Sequence, residues 1–334
     1  MPCCHPVQSF KTGNLTENGK SEYIRCPDTA YSGYLPLTSL TRTKKRINYE
    51  KAPLAIVPGE GLCLVSPDEQ PCGQCVGCRM DNAFDWKVRC CLELQYNPLC
   101  FFVTLTYDDQ HLPFSKATGQ PVLHYHDVQK FLYLLRAYMP YVRYYGCGEY
   151  GSEDNTRRPH YHILLWSPIT IDGMVGVRKF TSSDIAKCWK FGMHVIEHVT
   201  PGNIAYVCGY VVKKQADPDW DDYEVRPFTF MSTKPAIGAQ YFIDHYDSIK
   251  ATKKVYAVLD ESRKPQAARL PRYFKRLLDD FPWYQEWKER TKQDLEKLKE
   301  LESVVYGTAN RSRLGDAKEA MLYSRLEKFR RKTL

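Results

Sequence analysis

No stretch of this 334-residue chain approaches the roughly 20 consecutive apolar residues that a membrane-crossing helix requires. Its first residues, Met1-Pro2-Cys3-Cys4-His5, lack the charged and apolar regions of a secretory signal. The expectation is a cytoplasmic protein with no membrane partner. No G-x-x-x-x-G-K-[ST] loop occurs, which excludes P-loop use of ATP or GTP. Internal repeats are missing, and so is a fourth cysteine at bacterial ferredoxin spacing, which excludes that iron–sulfur cluster. The 13 cysteines do not make a disulfide framework in a chain this long. In a reducing compartment they are thiols or metal ligands.

What the chain does have is a modest positive balance, with 47 Lys and Arg against 39 Asp and Glu for a net +8. That favours an anionic partner without specifying it. Tyrosine is abundant at 24 residues, and runs such as Tyr141-Val142-Arg143-Tyr144-Tyr145 suit base stacking as well as phosphate contact.

Residues 1 to about 70 are rich in Pro, Gly, Ser and Thr and carry the basic run Arg42-Thr43-Lys44-Lys45-Arg46, which predicts an irregular arm with little core. Helices are expected over about 79–95, 127–138 with Asp127 as its cap, and 183–189. Strands are expected at Phe101–Tyr107, near Val142–Tyr145, from His160 onward and over Met193–Val199. This order predicts an α+β domain with a central antiparallel sheet packed by helices. The expected divisions are 1–98 (cysteine-rich region and helix), 99–215 (sheet core), 216–281 (extension, opening on an acidic loop near 215–225) and 282–334. The last is a charged helical tail with Leu295, Leu298 and Leu301 along one face.

Three motifs carry chemistry. Arg158-Pro159-His160-Tyr161-His162 opens an apolar strand, and alternate residues of a strand share a face, so His160 and His162 project together. Two imidazoles need a further ligand. Glu149, at the end of the preceding strand, could join them across a hairpin, and the resulting set would accept Mg²⁺ or Mn²⁺. The tripeptide His124-Tyr125-His126 repeats the pattern but runs into a helix, so it is read as a decoy. Downstream, Tyr206 and Tyr210 lie one helical turn apart, with Lys213 and Lys214 on the next turn. Either tyrosine is a candidate nucleophile. A free phenol is ionised only about once in a thousand at neutral pH, so it needs a cation nearby, and a lysine could also neutralise a phosphate. Finally, Cys72-Gly73-Gln74-Cys75-Val76-Gly77-Cys78 reads either as reduced, packed thiols or as three thiolates of a structural zinc site, which needs a fourth. Cys3, Cys4, His5, Cys63, Cys90 and Cys91 all remain open for that place.

Together these residues resemble the HUH-family endonucleases that initiate rolling-circle replication, in the form carried by gokushovirus-type microviruses. The likeness covers roughly residues 70–275. It runs through Pro71–Arg79, Phe102–Asp109, Cys147–Gly151, Arg158–His162, Ala205–Lys214, Met231–Pro235 and Leu270–Phe274. The resemblance implies an HUH (Rep-like) fold with its core in 99–215. It also implies metal-binding His160 and His162 with Glu149 as acidic third ligand, and Tyr206 and Tyr210 as alternating nucleophiles. Tyr161 between the histidines departs from the usual aliphatic residue. The implied activity is nicking of single-stranded viral DNA at the origin of the replicative form, with a 5′-phosphotyrosine link, a free 3′ hydroxyl and later religation. Host helicase and polymerase would be partners, in the bacterial cytoplasm. Two rival readings remain open: a single-strand DNA transposase of the same fold, and a zinc-stabilised DNA-binding protein without catalysis.

Overall fold

Short strands, rather than an irregular arm, make up the first part of the chain. The computed structural model describes residues 3–17, 19, 21–25, 33–42, 45–151, 157–214, 224–306 and 316–324, with backbone alone at 41–42, 210–214, 299 and 302–306. The acidic stretch at 215–223 and the Thr43-Lys44 part of the basic run lie outside these residues. The chain divides into two compact units, Met1–Arg79 with Glu300–Leu334, and Met80–Lys299.

In the first unit, β1 (Val7–Leu15), β2 (Ser21–Arg25), β3 (Tyr34–Pro36), β4 (Leu54–Val57), β5 (Gly61–Val65) and β6 (Asp68–Gln70) form two antiparallel sheets, ordered β2-β1-β6 and β3-β5-β4. Phe10, Ile24, Leu35 and Leu64 are buried together as a small core. The composition hid it because no strand turns more than two apolar residues inward, too few to mark an alternating pattern.

Helix α1 (Val76–Tyr96) starts at the cysteine segment and carries the chain into the second unit. There follow β7 (Cys100–Tyr107), α2 (Tyr125–Tyr138), β8 (Arg143–Tyr150), β9 (Pro159–Trp166), β10 (Gly173–Gly176), β11 (Lys179–Thr181), α3 (Ser183–Cys188), β12 (Gly192–His198), α4 (Pro201–Lys214) and β13 (Phe228–Met231). These strands form one seven-stranded sheet in the order β10-β11-β12-β7-β9-β8-β13, antiparallel throughout. The chain continues through α5 (Ala239–Asp244), α6 (Tyr246–Thr252), the hairpin β14 (Lys254–Val258) and β15 (Pro265–Arg269), α7 (Arg272–Leu278) and α8 (Pro282–Tyr306). The protein is α+β, with helices packed on a large antiparallel sheet.

The alternation of β9 sorts its neighbours. Tyr161, Ile163 and Leu165 join Val103, Leu105 and Tyr107 of β7 in a core with Val128, Phe131, Leu132 and Leu135 of α2. Leu164 and Trp166 face the other way, with Phe102 and Tyr145, against Val88, Cys91 and Leu92 of α1 and Ile204, Val207 and Cys208 of α4. Burying each large side chain stabilises the sheet by about 1.5–3 kcal/mol. His160 and His162 share the parity of Leu164 and Trp166, so the helical layer that holds α4 is the one beside them.

One local expectation is corrected. Asp127 does not cap α2; His124 is the residue before its first turn, and Asp127 sits inside that turn, accepting from Tyr107 Oη at 2.8 Å. The helix begins earlier because the Tyr161 hydroxyl fixes His124, accepting from its N–H at 3.1 Å and donating to its carbonyl at 2.8 Å. The leucines along α8 (Leu295, Leu298 and Leu301) are exposed.

Candidate active site

Sheet register assembles the first donor set. On β9, His160 stands opposite Glu149 of β8 and Thr106 of β7; His162 stands opposite Cys147 and Thr104. Directly opposed residues of a sheet share a face, so Glu149, His160, His162 and Thr104 converge. Glu149 is buried. Its Oε1 lies 2.7 Å from His160 Nε2 and 3.0 Å from His162 Nε2. All three ligand atoms fall within 4.8 Å of one another.

The other ring nitrogens are occupied. His160 Nδ1 lies 3.0 Å from the Arg158 carbonyl, which can only accept, so Nδ1 donates there. His162 Nδ1 lies 3.0 Å from Thr104 Oγ1, and its ring stacks on Phe102 with centroids 5.2 Å apart and planes 13° from parallel. Nδ1 held by an outer acceptor leaves Nε2 as the ligating atom, the usual arrangement of a metal-binding histidine.

Burial alone would raise the Glu149 carboxyl, but hydrogen bonds and charge from His160 and His162 outweigh it and hold it at about 2. Its second oxygen, Oε2, is buried without a hydrogen-bond partner. A bare carboxylate oxygen in a buried site costs free energy unless a ligand satisfies it. The two imidazole nitrogens lie 2.7 and 3.0 Å from the carboxylate oxygen, which matches neighbouring positions around a small ion with bonds of about 2.1 Å. The donor set therefore fits a divalent cation.

Helix α4 brings Tyr206 to the same place. Its hydroxyl donates to Glu149 Oε1 at 3.2 Å, and its ring meets His162 edge-on at 5.3 Å between centroids. Tyr206 is 38% exposed, so the residue reaches the surface while its hydroxyl meets the donor set. Burial first, then the Glu149 charge, pushes the phenol above its ordinary value of 10. Without a compensating cation, Tyr206 holds its proton. The backbone of Tyr210, Lys213 and Lys214 continues α4, while their side chains lie outside the described residues.

Sequence reasoning passed over Thr104 and Phe102, although their alternation on β7 places them on the histidine face. His124, of the repeated tripeptide, pairs with Asp127 at 3.0 Å at the start of α2. Neither it nor His126 belongs to a metal-compatible cluster among the described residues.

The first unit holds a second donor set. Cys72, Cys75 and Cys78 meet at the start of α1, and Cys3 joins them, with all four sulfurs within 4.8 Å of one another.

The fold and the first site thus define an α+β protein whose central sheet presents two histidines and a carboxylate beside a helix-borne tyrosine. Residues 100–215 match the family described as replication-associated protein ORF2/G2P. The chain is 34% identical over 224 residues to replication-associated protein ORF2 of Spiroplasma virus 4, covering 64% of this chain and 68% of that protein. It is 28% identical over 254 residues to replication-associated protein VP4 of Bdellovibrio phage phiMH2K, covering 69% and 74%. With replication-associated protein ORF4 of Chlamydia phage 1 it shares 29% over 226 residues, covering 62% and 53%. The chain belongs to this family of microvirus replication-associated proteins, the replication initiators of these viruses. No solved structure matches it.

Proposed function

We propose that this chain is a metal-dependent endonuclease of the HUH type that nicks and rejoins single-stranded viral DNA at the origin of the replicative form. The observation that carries the reading is the meeting of Glu149, His160 and His162 with the Tyr206 hydroxyl on one face of the sheet. Replication initiators need a 3′ hydroxyl, and a tyrosine beside a cation site is a chemical means of making one.

Mg²⁺ or Mn²⁺ held by His160 Nε2, His162 Nε2 and Glu149 would polarise the scissile phosphate and offset the negative charge around it. Thr104 and the Arg158 carbonyl keep both rings aimed with Nε2 inward. Tyr206 Oη gives up its proton and attacks phosphorus. The bond from phosphorus to the 3′ oxygen breaks, that oxygen takes a proton, and the 5′ phosphate stays on the tyrosine. The diester is exchanged for another diester, so rejoining needs no ATP. Tyr210, one turn further along α4, is the second nucleophile: it cuts the regenerated origin, and the released 3′ hydroxyl closes the first strand. Lys213 and Lys214 neutralise phosphate. Host polymerase and helicase would extend the 3′ end and unwind the duplex, in the bacterial cytoplasm.

The test is incubation of the full chain with labelled single-stranded origin DNA and Mn²⁺ or EDTA, followed by denaturing electrophoresis. A metal-dependent protein–DNA adduct, lost in Tyr206→Phe/Tyr210→Phe, is expected. Binding without an adduct or cleavage under Mn²⁺ would overturn the reading in favour of a non-catalytic DNA-binding protein.

A further inference from the structure

Strand pairing in the first unit brings the start of the chain to the cysteine segment. β1 and β6 run antiparallel with Val7 opposite Gln70, so Cys3, just before β1, and Cys72, just after β6, emerge at the same end. Gly73 then takes a left-handed backbone (φ 80°), and the turn it makes directs two amides at one sulfur. The N–H groups of Gln74 and Cys75 reach Cys72 Sγ at 3.4 and 3.2 Å. The Cys72 N–H reaches Cys3 Sγ at 3.3 Å, and those of Cys4 and Cys78 reach Cys75 Sγ at 3.3 and 3.5 Å. Amides aimed at sulfur favour the thiolate over the thiol.

We propose that Cys3, Cys72, Cys75 and Cys78 bind one Zn²⁺, which staples the start of the chain to the first turn of α1. Four thiolates around zinc at about 2.3 Å form a tetrahedron whose edges are about 3.8 Å. The sulfurs of Cys3 and Cys72 are 3.5 Å apart, those of Cys3 and Cys75 3.7 Å, and those of Cys72 and Cys78 3.9 Å. These spacings are far too long for a disulfide, whose S–S bond is about 2.0 Å, and all four cysteines are free. Cys75 and Cys78 are buried, with Cys3 and Cys72 half-buried. A closed, four-thiolate set with no open position is structural rather than catalytic.

Four other candidates for the fourth ligand are engaged elsewhere. His5 Nε2 pairs with Glu319 of the helical segment 316–324 at 2.6 Å, and the same carboxylate accepts from the Val76 N–H at 3.4 Å. Cys63 donates to the Gly61 carbonyl, and Cys90 lies against Cys208. Cys91 is packed in the apolar core of the second unit. Cys4 contributes its amide to Cys75, and its sulfur is not among the four that lie within 4.8 Å of one another.

The test is elemental analysis of the purified full-length chain, desalted without strong chelator, in a His160→Ala/His162→Ala background. That background removes the other donor set, so this result is independent of the nickase reading. One zinc per chain is expected there, retained in Cys4→Ala and falling several-fold or more in Cys3→Ala. Replacing zinc with Co²⁺ in the unaltered cysteine set should give the intense thiolate-to-cobalt absorption and tetrahedral visible bands of a four-sulfur site. That readout does not depend on any cysteine variant folding. No bound metal, iron in place of zinc, full zinc retention by a folded Cys3→Ala, or a cobalt spectrum without thiolate bands would overturn the proposal.

Discussion

Replacing Glu149 by Gln keeps the shape of the side chain and removes its charge. Glu149 is held at about 2 against an ordinary 4.5, a difference worth roughly 3 kcal/mol in favour of the charged form at about 1.4 kcal/mol per unit. That stabilisation is fully present above pH 4.5 and is lost as the pH falls through about 2, because only then does the folded protein bind the proton. At neutral pH the metal-free variant should therefore lose up to about 3 kcal/mol, lowering the unfolding temperature by roughly 6–12 °C for a unit of this size. A divalent cation draws on the same negative charge, so Mn²⁺ affinity should fall on the order of 100-fold, the equivalent of about 3 kcal/mol. Calorimetric titration with Mn²⁺, at a temperature where circular dichroism finds both proteins folded, reads this directly. A folded Glu149→Gln protein with unchanged Mn²⁺ affinity would refute the reasoning, since the carboxylate would then not face the ion.

Thr104→Val should leave the fold intact but free the His162 ring, lowering metal affinity or cleavage rate about 10–100-fold by titration or single-turnover assay. Gly146→Ala should be destabilising by about 1–3 kcal/mol in thermal unfolding, because a Cβ there would lie 2.6 Å from Phe230 Cζ and 2.9 Å from the His162 carbonyl oxygen. The second contact is backbone of β9, so cleavage should fall with stability. His124→Ala combined with His126→Ala should leave cleavage largely unchanged, since these residues stand at the start of α2; abolished cleavage would mean the wrong histidine pair has been assigned.

The strands and helices of the central sheet were legible because their patterns are long. β9 joins an alternating start to a continuous apolar run, and both periodicities fix which face the histidines take. Glu149 was legible from hairpin geometry alone, since a strand ending at Tyr150 and another beginning at Pro159 pair by local contact. Thr104 was not, because its partner His162 is 58 residues away and nothing in β7 marks one threonine over another. The strands of the first unit escaped notice for a different reason: they are three to nine residues long and bury few apolar side chains. Without the pairing of β1 to β6, Cys3 could not be told from five other candidates for the zinc set. The contact of the Tyr206 hydroxyl with Glu149 likewise depends on how α4 lies over β9, which helical spacing does not specify.

The most direct test of the central claim is to locate the covalent bond. The full chain, incubated with Mn²⁺ and single-stranded origin DNA, would be digested with nuclease and protease and its peptides read by mass spectrometry. A phosphonucleotide remnant on Tyr206 or Tyr210 is predicted, absent when EDTA replaces Mn²⁺. DNA cut without any remnant on these tyrosines, or a remnant on a residue away from α4, would contradict the account.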